Sequence, residues 1–236
     1  MIGSPHIHHR TTDSTNERAK ELALGGAPHG TIVTADEQTA GRGRQGRQWL
    51  APPGKALLMS VVLRHLGGAQ AHLPLAAAIA VCEACEQSAP PLHCTIKWPN
   101  DVWLDGRKVA GILVEGRPQE GWAVLGIGLN VAAAEDEFPD ELREIATSLA
   151  AARPDTEPPA LSDVLRLLLS ALDARLEDPP DTIVAEWRER DTLSGQNVRW
   201  EGGEGTATGI DESGALIVET SSGRVTLDAG EVHLLR

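Results

Sequence analysis

Residues 56–63 read Ala-Leu-Leu-Met-Ser-Val-Val-Leu, an almost unbroken apolar stretch without the alternation of a half-exposed strand. Such a stretch reads as a strand buried on both faces, so it must lie inside a sheet that other elements cover. Residues 31–35, β-branched and apolar, read the same way. A capping signal precedes them: Asp13 and Ser14 stand before Thr15, Asn16 and Glu17, and helix formers continue over 16–24 until Gly25 and Gly26 end the run. The alanine-rich stretch 73–87 predicts a buried helix, interrupted downstream by Pro90 and Pro91. Three further strands are predicted over 94–98, 109–115 and 122–131, with Asp105-Gly106 as a hairpin turn before the second. This order of helix, strands, helix and strands is that of an α+β protein.

After an Ala- and Pro-rich loop at 150–160, Leu161, Leu165, Leu168, Leu172 and Leu176 recur at helical spacing and give one helix an apolar stripe. A second helix is predicted over 182–190. Beyond it come short β-rich runs punctuated by Gly202-Gly203, Glu212-Ser213-Gly214 and Ser221-Ser222-Gly223, which predict a separate small β-barrel. The chain is thus divided into 1–190 and 191–236. No apolar run approaches the roughly 20 residues that span a bilayer. Residues 1–10, broken by Pro5 and rich in histidine, lack the charged start and apolar middle of a secretion signal. Three cysteines are too few for a disulfide framework, and a cytoplasmic location is expected. The 34 acidic and 21 basic residues give a net charge of -13, a field that repels a phosphate backbone and argues against nucleic acid as a partner.

Against that field, Gly41-Arg42-Gly43-Arg44-Gln45-Gly46-Arg47, followed by Gln48 and Trp49, gathers three arginines and no acid. Glycines let the backbone approach an anion closely and arginine forks grip phosphate or carboxylate oxygens, so this is a candidate anion site; a solvated flexible loop has the same composition. It is not a Walker loop, because neither Lys-Ser nor Lys-Thr follows its last glycine. In Lys97-Trp98-Pro99-Asn100-Asp101 the proline keeps Trp98 extended and stops the ladder, leaving Lys97 at a strand end where it can reach an anion in a cleft; an ordinary Asn-Asp turn reads the same. Gly126-Ile127-Gly128-Leu129-Asn130 closes an apolar strand, and its glycines fit close approach of a flat ligand, of another backbone, or simple bulges. Gly111 interrupts the strand at 108–115 in the same way.

Cys82 and Cys85, with His93 and Cys94 downstream, have a zinc-like spacing, but the pair sits in an alanine-rich helix where small thiols are ordinary core residues. His6, His8 and His9 could chelate adventitious metal; a frayed or edge-strand terminus accounts for them as well. No Ser-His-Asp order or paired-carboxylate spacing stands out, and no dedicated metal site is expected.

Taken in order, Asp13-Ser14-Thr15-Asn16, Gln38, 41–47 with Trp49, 97–101, 108–115 and 126–130 resemble the biotin protein ligase family, and the resemblance runs over nearly the whole chain from Thr12. It implies a class II synthetase-like catalytic fold, a central mixed or antiparallel sheet flanked by helices, followed by a small SH3-like barrel. It implies a two-step reaction in which biotin and ATP give biotinyl-5′-adenylate and pyrophosphate, and a carrier-domain lysine then attacks the adenylate and releases AMP. By this likeness Ser14, Thr15, Asn16, Gln38 and Gly111 lie by biotin. Arg42, Gly43 and Arg44 close over the biotin carboxylate and phosphate, Lys97 contacts both, and Trp49 packs by the adenylate. Gly41, Arg47, Asn100, Gly128 and Asn130 fall on the nucleotide side. Arg42, Arg44 and Lys97 become the candidate catalytic residues, and Asp101 a candidate base by position alone.

ATP chemistry implies accompanying magnesium, and the resemblance further implies a biotin carboxyl carrier domain of acetyl-CoA carboxylase or a related carboxylase as partner, and a possible homodimer. With about a dozen residues before the first motif, the monofunctional type without a DNA-binding domain is expected. Three rivals remain: a lipoate or octanoate transferase of similar fold, a protein that only senses biotin, and an RNA-binding scaffold built on the arginine loop.

Overall fold

The two apolar runs become neighbouring strands in a seven-stranded mixed sheet. In the computed structural model, which describes residues 1–64 and 69–235, the larger part contains β1 (His6–Thr12), α1 (Thr15–Leu24), β2 (Ile32–Gln38), β3 (Ala56–Arg64), α2 (Leu73–Ser88), β4 (Cys94–Lys97), β5 (Asp101–Leu104), β6 (Arg107–Arg117), β7 (Trp122–Asn130), α3 (Leu161–Arg175) and α4 (Pro180–Glu189). The strand order is β1-β2-β3-β7-β6-β5-β4; β1 runs parallel to β2 and every other pairing is antiparallel. Among the described residues, no helix is long and apolar enough to cross a membrane.

The strand period of two divides the residues of β3, β6 and β7 between the sheet's faces. Leu57, Met59, Val61 and Leu63 of β3, with Leu125, Ile127 and Leu129 of β7, enter the main core, where Ala76, Ile79, Ala80 and Leu168 of α2 and α3 lie. On the opposite face Val62, Trp122 and Val124 bury Ala19 and Ala23 of α1 in a smaller cluster. That second face continues past α1 as Ser60, Gly126, Gly128 and Asn130, and there the functional cavity opens.

Residues 197–234 add β8 (Asn197–Trp200), β9 (Gly203–Ile210), β10 (Leu216–Thr220), β11 (Gly223–Leu227) and β12 (His233–Leu234), paired antiparallel in the order β11-β10-β9-β8-β12. The predicted barrel region ends at Arg236, which lies outside the described residues. This sheet is seated firmly on the larger part: Trp98 Nε1 donates to Gly214 O at 3.0 Å, and the Arg188 guanidinium donates to Ile210 O at 2.6 Å. Val198, Leu216, Val218 and Val232 join the main core.

One strand decides between sequence alternatives and another goes beyond the sequence reading. The histidine-rich start is an edge strand, one of the two alternatives raised for it. Four strands rather than three follow α2, because Asp101–Leu104 forms β5; at four residues, directly behind Pro99-Asn100, its alternation is too short to register as more than a turn. Cys82, Cys85 and Cys94 are all buried in the core.

Candidate active site

Strand register brings separate sequence segments into one row. Lys97 pairs with Asp101 across β4 and β5, Asp101 with Gly111 across β5 and β6, and Gly111 with Gly128 across β6 and β7. Directly paired residues share a face, so the row lies together on the floor of a cavity of about 520 Å³. A Cβ at Gly128 would fall 2.5 Å from Trp49 Cε2, and one at Gly111 3.0 Å from Trp49 Cζ3. A Cβ at Gly126 would collide with the Asn16 amide. The glycines therefore admit side chains from the loop and from α1, rather than another backbone.

At the α1 end the polar groups satisfy one another. Gln38 Oε1 accepts from Thr15 N at 2.7 Å and from Thr15 Oγ1 at 3.1 Å. Ser60 Oγ stands 2.8 Å from Thr15 Oγ1 and 2.6 Å from Asn16 Oδ1, and Asn16 Nδ2 donates to Glu115 Oε2 at 2.9 Å. Ser14, Thr15, Asn16 and Ser60 are buried, which makes these bonds expensive to break. Outside this cluster, Arg42 pairs with Glu17 and, at 3.1 Å, with Glu115, while Lys20 Nζ lies 2.6 Å from Glu17 Oε1. Burial pushes the Glu17 carboxyl up, but the hydrogen bonds and charges of Lys20 and Arg42 outweigh it and hold the group below its ordinary range.

The glycine-arginine segment is a tight, internally bonded turn. Gly43 N donates to Arg47 O at 2.8 Å, Arg47 N to Arg44 O at 3.1 Å, and Trp49 N to Gly41 O at 3.0 Å. Gln45 and Gly46 both take positive φ, 55° and 75°, and a glycine meets that requirement at least cost. The turn aims Arg44 Nη1 at Asn100 Oδ1, 3.2 Å away, and Asn100 Nδ2 is anchored on Ile112 O at 2.7 Å. Arg47 reaches Glu231 of the carboxy-terminal sheet region at 2.7 Å.

The cations are unequally neutralised. Lys108 Nζ is 2.6 Å from Asp101 Oδ1 and 5.6 Å from the Trp49 ring centroid. Lys97 Nζ lies 5.1 Å from the Trp103 ring centroid. Among the described residues, neither Lys97 nor Arg44 has a carboxylate within 4.0 Å. Burial lowers the pKa of both, partly opposed by the charges of Asp101 and Glu231.

Of the residues singled out from sequence, Ser14, Thr15, Asn16, Gln38, Arg42, Gly43, Arg44, Arg47, Trp49, Lys97, Asn100, Gly111, Gly128 and Asn130 line this cavity. Gly41 does not; it is buried behind the wall, where a Cβ would meet Trp49 O at 2.5 Å. Asn130 spends its amide on Thr147 O at 3.0 Å and thereby pins the segment that carries the apolar lining residues Phe138, Leu142 and Ile145. Sequence reasoning missed Ser60, Lys108, Trp103 and Glu115 as site residues, together with Glu231, His233 and Leu234 from the carboxy-terminal region. Alternation from Gly111 through Leu113 to Glu115 signals the last of the first group; nothing local signals residues 231–234.

The family model described as Biotin/lipoate A/B protein ligase family matches residues 8–131, more than half of the chain. The chain belongs to this ligase family. A second model, Biotin protein ligase C terminal domain, matches residues 193–235. Among curated relatives, the bifunctional ligase/repressor BirA of Bacillus subtilis is 36% identical over 247 residues, covering 99% of this chain and 75% of its own length. The biotin--[acetyl-CoA-carboxylase] ligase of Paracoccus denitrificans is 37% identical over 236 residues, covering 94% of this chain and 97% of its own. Among solved structures, a biotin protein ligase from Aquifex aeolicus in complex with biotin and ATP superposes with a TM-score of 0.86 at 30% identity, covering 99% of this chain and all of that one. This member of the biotin protein ligase family is an enzyme, a ligase that couples bond formation to cleavage of ATP.

Proposed function

We propose that this ligase activates biotin with ATP as biotinyl-5′-adenylate and then transfers biotin to a lysine of a carboxyl carrier domain. One observation carries the reading: Lys97 and Arg44, with no carboxylate beside them among the described residues, share a cavity with Thr15, Asn16 and Gln38, a bonded cluster that the buried Ser60 holds from behind. A neutral ureido ring wants fixed donors and acceptors above an apolar floor, and the cluster supplies them. The acid and the triphosphate repel each other, and the cationic end supplies what brings them together.

In the first step a biotin carboxylate oxygen attacks the α-phosphorus, a new P–O bond forms, and the bond to the β-phosphate bridging oxygen breaks with its electron pair leaving on pyrophosphate. Lys97 would hold the carboxylate and the α-phosphate at once, Arg42, Gly43 and Arg44 would close over them, and Trp49 would pack against the adenylate. Gly128, Asn130, Asn100 and Arg47 would shape the nucleotide side, and Ser14 and Gly111 the biotin side. In the second step the acceptor amine attacks the acyl carbon and AMP departs; Asp101, in the same row as Lys97, is the proposed base. Among the described residues no group of three or more His, Cys, Asp or Glu side chains is arranged to hold a metal, so magnesium would enter on the triphosphate oxygens. A carboxylase carrier domain, a homodimer and a cytoplasmic setting belong to the same proposal.

The test offers the protein ATP with biotin, lipoate or octanoate and identifies the adenylate formed. Biotinyl-adenylate alone, followed by label on a purified carrier domain, is expected. An adenylate of lipoate or octanoate instead would move the protein to the other branch of its family, and biotin binding without any adenylate would make it a sensor.

A further inference from the structure

The loop over the cavity is held from two sides. Arg42 meets Glu17 and Glu115 at the α1 end, whereas Arg47 meets Glu231, which the chain reaches only after passing through β8 to β11. We infer that Glu231 is a positioning residue for the nucleotide step, through which the carboxy-terminal region holds Arg47, and with it Arg44, over the cationic end of the cavity. The inference rests on the proposed activation of biotin by ATP.

The geometry supplies each link. Glu231 lines the same cavity as Lys97 and Arg44, and its charge is felt by both. The adjacent Val232 is 1% exposed in the main core, and Leu235 N donates to Asn197 O at 2.9 Å, so the chain directly after residue 231 is fixed. The carboxy-terminal sheet is bonded through Gly214 to Trp98, the residue after Lys97, so Glu231 and Lys97 keep a common frame. Within the loop the Arg47 N to Arg44 O bond of 3.1 Å and the positive-φ pair Gln45-Gly46 leave little slack, and fixing Arg47 therefore fixes Arg44. The pair itself is open to solvent, with Arg47 60% and Glu231 38% exposed at the side chain, so it adds little to folding stability and its effect lies in placement.

The test compares the full-length wild type with Glu231→Ala, Glu231→Asp, Arg47→Ala and the double alanine variant. Glu231→Ala should raise the KM for ATP by up to about fivefold, the upper end of what an exposed ion pair contributes, with a smaller loss of biotin affinity measured without ATP, since Arg44 also closes over the biotin carboxylate. Glu231→Asp should recover most of the loss, and the double variant should match Arg47→Ala alone because the two changes break one link. Trypsin should also cut at Arg44 and Arg47 faster in Glu231→Ala than in the wild type. A KM for ATP equal to the wild type's in Glu231→Ala, or multiplicative effects in the double variant, overturns this inference and leaves the proposed function standing. A wild type that forms no adenylate overturns both.

Discussion

At the α1 end of the cavity Thr15, Asn16, Gln38, Ser60 and Glu115 are bonded to one another, whereas at the far end Lys97 and Arg44 sit half-buried with no carboxylate within 4.0 Å among the described residues. The first end is organised by folding itself, so a ligand there exchanges bonds with groups already in place. The second end concentrates positive charge that burial disfavours, and an anion relieves it. One cavity thus combines a rigid polar surface with an electrostatic deficit, and the contrast can be attacked from either end.

The largest effect should come from the deficit. Lys97→Ala should slow adenylate formation about 100- to 1,000-fold, a barrier increase of about 3–4 kcal/mol, while thermal stability stays level or rises because a desolvated charge is gone. Comparable losses of stability and of rate would show that Lys97 serves folding instead. Second comes the joint that seats the carboxy-terminal wall. Asp191 Oδ1 accepts from Leu193 N at 2.8 Å while Oδ2 is buried without a partner, and burial pushes the carboxyl up to about 6, against the lowering by the backbone amides of Leu193 and Ser194. A carboxyl raised in the folded state favours the native form when protonated; that contribution is complete below the unfolded value near 3.8 and is lost as pH rises through about 6. Asp191→Asn should therefore stabilise the protein by up to about 3 kcal/mol at pH 7 and by nothing below pH 4, as followed by thermal unfolding across that range.

Smaller effects should separate the two ends. Gly128→Ala puts a methyl group against the Trp49 indole and should cost about 1–3 kcal/mol of stability while raising the KM for ATP more than that for biotin. Ser60→Ala removes the hydroxyl shared by Thr15 and Asn16 and should cost about 1 kcal/mol, read as weaker biotin binding in calorimetry with the KM for ATP unchanged. If Ser60→Ala weakened ATP and biotin equally, the two ends would not be independent.

Much of this was legible in the chain because it depends on local chemistry. The apolar run at 56–63, the helix formers over 16–24 and the leucine stripe from Leu161 each specify an element through its own residues, and β3, α1 and α3 follow them; α1 starts where the capping signal puts it, at Ser14, although the Ser14 side chain makes no capping bond. The arginine loop stood out because it opposes a net charge of -13, and Lys97 because the proline two residues on leaves it at a strand end. Register was not legible: nothing in the residues around Lys97, Asp101, Gly111 and Gly128 says that four strands align them, since that alignment is fixed by hairpin lengths and by the bulge between Val102 and Trp103. Nor was the reach of Glu231 across to Arg47, a contact 184 positions apart in the chain.

The most direct measurement is biotin-dependent release of pyrophosphate from ATP, followed side by side for the wild type and Lys97→Ala. Release by the wild type only when both compounds are present, with the variant slowed at least about 100-fold, is the predicted result. No release from the wild type, or equal release from the two proteins, would contradict the claim that the uncompensated cationic end joins the two anions.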